Sequence, residues 1–163
     1  MALSSSSPSP YPLQNSSQGY TFVTDYGTPY LVYFTEGEGY FPETSFAPHT
    51  FMLGFGPTTP PEKLVHDVRI APTVAAVATL FFQDACHVLL YLCDTKDQRQ
   101  ALRHRLFNQW FATHAPPGYI RRVLVSPPHL YAAVVFLDAN PYAQEIQQAL
   151  PGLEEKIEPS GRS

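Results

Sequence analysis

The stretch Val88-Leu-Leu-Tyr-Leu-Cys-Asp94 runs without a break into Thr95-Lys-Asp-Gln-Arg-Gln-Ala-Leu-Arg-His-Arg-Leu-Phe-Asn-Gln-Trp-Phe111, and it constrains this chain more than any other. An apolar run without alternation is the pattern of a strand covered on both faces. Beyond it, Leu102, Leu106 and Trp110 recur every fourth residue, while Arg99 and Arg103 form a separate row. That spacing predicts an amphipathic helix with one packed and one solvated side. Asp94 or Thr95 is its expected N-cap, and Asp97 falls in the first turn, where the helix dipole favours a negative charge. A buried strand feeding straight into such a helix implies an α/β chain. In such chains ligands gather beyond the carboxyl ends of strands and at helix N-termini.

The flanking sequence extends this unit into the order β-β-β-α-β-α-β-β-α. Tyr20–Thr24 and Tyr30–Phe34 predict a hairpin around Asp25-Tyr-Gly-Thr28, with Gly27 free to take positive φ. Phe51, Leu53 and Phe55 alternate onto one face of a third strand. Ile70, Val74, Val77 and Phe81 form the stripe of a first helix that tolerates Pro72 in its opening turn. Tyr119–Val125 and Leu130–Leu137 close the sheet, and Asn140-Pro141 opens a short last helix. The expected fold is α/β (α+β): a mixed, largely antiparallel sheet of about six strands with two main helices. Residues 1–18, rich in Ser, Pro, Asn and Gln, are expected to be a disordered tail, 19–150 a single α/β domain, and 151–163 a flexible C-terminal tail.

Composition excludes several classes of function. A net charge of -4 gives no electrostatic case for nucleic acid. No run approaches the ~20 apolar residues that span a bilayer, and the N-terminus lacks the basic and apolar regions of a signal peptide. No membrane partner is expected. The two cysteines, Cys86 and Cys93, fit neither a disulfide scaffold nor a CxxC pattern, which points to a reduced, cytoplasmic setting. Histidines 49, 66, 87, 104, 114 and 129 are scattered without a ligand pair, so no metal is expected.

Three clusters are candidate sites. Asp67 and Arg69 flank the start of the first helix, where free N–H groups favour an anion. Cys93 and Asp94 end the central strand; the thiol reads as a core residue and the carboxylate as a cap. Arg99, Arg103 and Arg105 present guanidinium forks suited to phosphate or carboxylate. The reading that follows is a small non-catalytic protein without a cofactor, binding a protein or a small anionic ligand. Asp67, Arg69, Asp94, Arg99 and Arg103 would carry that contact.

At Asp67-x-Arg69, Thr73-Val74 and Cys93-Asp-Thr-x-Asp-x-Arg-Gln-x-x-Arg-x-x-Leu-Phe-x-x-Trp-Phe111, the chain resembles an uncharacterised family of short bacterial proteins, mainly from Bacteroidota. The likeness spans about Tyr20 to Phe136. The element order is also similar to the later part of the Gcn5-related N-acetyltransferases. That second resemblance implies an acyl-CoA-dependent N-acyltransferase, with acetyl-CoA or another acyl-CoA as cofactor and Tyr119 or Tyr131 as general acid. Arg69 then occupies the place of the family's phosphate-loop Arg or Gln. Pro72 and Val74 stand where its glycines fall, and the two early helices of that fold have no counterpart.

Overall fold

A computed structural model describes residues 8–60, 66–94, 108, 111–113, 117–125 and 130–157. Its strands are β1 (Gln14–Asn15), β2 (Gly19–Val23), β3 (Pro29–Glu36), β4 (Thr50–Pro57), β5 (Val88–Asp94), β6 (Tyr119–Val125) and β7 (Leu130–Leu137). They form one sheet in the order β1-β2-β3-β4-β5-β7-β6. All described pairings are antiparallel except β4 with β5. A parallel pair needs a crossover, and α1 (Ile70–Phe81) supplies it. A second helix, α2 (Ala143–Ile157), follows β7.

Local chemistry explains the antiparallel half. Gly27 adopts φ 79° in the β2–β3 turn, a conformation that side chains with a Cβ resist. Thr24 Oγ1 accepts from the Tyr26 and Thr28 N–H groups and holds that turn closed. Gly19 meets another demand: a Cβ there would fall 2.1 Å from the Val32 carbonyl oxygen.

Strand alternation divides the core in two. Phe22, Val32, Leu53, Phe55, Leu89, Tyr91 and Val135 face α1. Val88, Leu90, Val134 and Phe136 face Ile146, Leu150 and Leu153 of α2, with Phe41 and Phe46 from the β3–β4 connection beside them. Val88, Leu89 and Leu90 are all fully buried, as the unbroken apolar run requires of a strand covered on both sides.

Among the described residues the mixed, largely antiparallel sheet has seven strands, in line with the expected fold class of about six. Three expectations need correction. Order starts before Tyr20: β1 pairs with β2, and Tyr11 is 3% exposed within the core. At the other end α2 continues through Pro151 to Ile157 and buries Leu153 at 1% exposure, so the folded part outruns residue 150. Asn140 caps a turn instead of the helix itself. Its Oδ1 accepts from Tyr142 N–H and its Nδ2 donates to the His87 carbonyl, and α2 begins at Ala143.

Candidate functional site

β4 and β5 share three residue pairs, Thr50 with Val88, Phe51 with Leu89 and Met52 with Leu90. Past these the strands part. β4 stays on β3 as far as Pro57, while β5 stays on β7 as far as Asp94. Because the two run parallel, the gap widens toward their carboxyl ends. The crossover helix must start at that same end, so the first turn of α1 stands at the mouth of the opening. Sheets of this kind place ligands at such a point. Leu53 and Phe55 on one arm and Tyr91 on the other are buried with Ile70 and Val74 and back the opening with apolar side chains.

The helix start itself is occupied by the chain's own N-terminal segment. The Tyr11 ring stacks on Phe22 at 5.5 Å, and the Arg69 guanidinium lies 3.9 Å over its centroid. Tyr11 N–H donates to Thr73 Oγ1 at 2.8 Å, and Thr73 in turn donates to the Arg69 carbonyl. The Tyr11 hydroxyl donates to Asp67 Oδ2 at 2.6 Å and accepts from Asp25 N–H at 3.0 Å. Arg69 donates to the carbonyls of Ser9 and Pro10 and pairs with Asp25 at 3.1 Å. Asp67 Oδ1 accepts from Arg69 N–H and completes the cluster.

The structure therefore brings Asp67 and Arg69 together at the start of α1, as their positions suggested, and turns them toward Ser9–Tyr11. Tyr11 and Asp25 were absent from the candidates drawn from the sequence. The available signal was small: Tyr11 and Leu13 are apolar side chains in a stretch otherwise rich in Ser, Pro and Gln.

The phenol of Tyr11 is pushed up to about 12, first by burial and then by the neighbouring Asp67 and Asp25 carboxylates, with the Asp25 N–H opposing them. A phenol raised above its ordinary 10.0 stabilises the fold fully below pH 10, and that contribution is lost as pH climbs toward 12. Chemical denaturation between pH 9 and 12 should show the loss, with a shallower decline in Tyr11→Phe. Equal slopes in both proteins would exclude Tyr11 as the titrating group.

The remaining candidates are placed as follows. Asp94 ends β5 opposite Leu130 and Cys93 precedes it opposite Tyr131. The side chains of Asp94, Cys93 and Tyr131, and all of Arg99, Arg103 and Arg105, lie outside the described residues. Tyr119 packs edge-on against Phe82, and burial raises its phenol. On β6, Arg121 donates to Asn108 Oδ1 and lies 5.7 Å from the Phe111 ring centroid, with burial lowering its pKa. These contacts seat Asn108 and Phe111 against β6. The His87 ring stacks on Phe81, its Nδ1 2.7 Å from the Phe81 carbonyl. Among the described residues no group of three His, Cys, Asp or Glu side chains is placed to hold a metal ion. None of the described helices is long and apolar enough to cross a membrane.

Residues 66–151, more than half of the 163-residue chain, match the model of a family described as of unknown function. The matched stretch holds α1, β5, β6, β7 and the first part of α2, and leaves β1–β4 outside. No curated protein and no solved structure matches the chain.

Proposed function

The chain belongs to that family of unknown function (DUF6169), and we propose that it is a non-catalytic binding protein of the bacterial cytoplasm that recognises a protein partner. The observation that carries this reading is the filled helix start. Arg69 already spends its guanidinium on two carbonyls, the Asp25 carboxylate and the Tyr11 ring. An anion at the first turn of α1 would have to displace Ser9–Tyr11, and Pro72 offers it no N–H. Asp67 and Arg69 then serve the scaffold, while Arg99 and Arg103, beyond the Asp94 strand end, are assigned to an acidic surface on the partner.

A second reading, acyl-CoA-dependent N-acyl transfer, draws support from the strand order and from the parting of β4 and β5 beside α1. It requires Ser9–Tyr11 to leave the helix start when the cofactor pyrophosphate arrives. Tyr119 or Tyr131 would then act as general acid. A ligand that binds the folded state must raise its apparent stability, by about 2.7 kcal/mol at a hundredfold excess over Kd. Thermal unfolding with millimolar acetyl-CoA, CoA or inorganic phosphate should therefore leave the midpoint unchanged. A rise of several degrees with both acetyl-CoA and CoA, but not with phosphate, would replace the first reading by the second.

A further inference from the structure

We draw no further inference here: the strongest candidate, the Ser9–Tyr11 segment strapped over the first turn of α1 at the mouth between β4 and β5, belongs to the site already described, and nothing in the structure shows what would take its place.

Discussion

Replacing Tyr11 by alanine should lower the unfolding free energy by about 4 kcal/mol, in the range for truncating a buried aromatic side chain. The ring is almost wholly buried, and its stack continues through Phe22 to Tyr30. Truncation also removes the surface over which the Arg69 guanidinium lies and leaves Asp67 Oδ2 without its phenol donor. Losses of this size are a large share of the 5–15 kcal/mol that separates folded from unfolded domains. At 2–4 °C per kcal/mol for a chain of this length, the melting midpoint should fall by roughly 10 °C. Tyr11→Phe separates the terms: it keeps the stack and loses the hydroxyl, for about 1–2 kcal/mol. Urea unfolding of the three proteins measures both. A cost below about 1 kcal/mol for the alanine variant would mean that the N-terminal segment is not anchored as described.

Leu153→Ala should cost about 3 kcal/mol, as truncations of buried leucine do. Pro151 within α2 leaves its carbonyl partner one turn earlier without a donor, and Gly152 adds backbone entropy to be lost. Leu153, packed with Ile146, Leu150 and Phe136, offsets both. Removing its side chain should therefore unwind the helix beyond Leu150, a loss of helicity visible by circular dichroism alongside the lowered denaturation midpoint. If the midpoint holds and helicity is unchanged, burial of Leu153 is not what carries the helix past the proline.

These two residues also mark where the sequence was least legible. The β5 run, the α1 stripe and the Gly27 turn could be read because each is encoded by neighbours within a few positions. β6 and β7 came out with their full spans for the same reason. Tyr11 is different: its partners Asp67 and Thr73 lie 56 and 62 positions away, and its surroundings carry the composition of a tail. At Pro151-Gly152 the local stop signal is genuine, and tertiary burial overrides it. No periodicity marks Phe41 and Phe46, which reach the second core from short 3-10 turns and irregular chain. As for the site, Asp67 and Arg69 lie beside the start of α1. What they hold depended on a segment that local pattern could not bring there.

The link between Tyr11 and Thr73 also fixes an order of events. Residues 8–13 are synthesised before α1, and nothing can receive them until that helix has been made some sixty residues later. Meanwhile β2, β3 and β4 can pair through connections far shorter than that separation. Contacts of such long separation form late, because loop closure must precede their reward. Interactions absent from the folding transition state act mainly on the rate of unfolding. The N-terminal segment thus works as a closing stitch: it adds little to the speed with which the sheet assembles and much to how long the finished molecule stays folded.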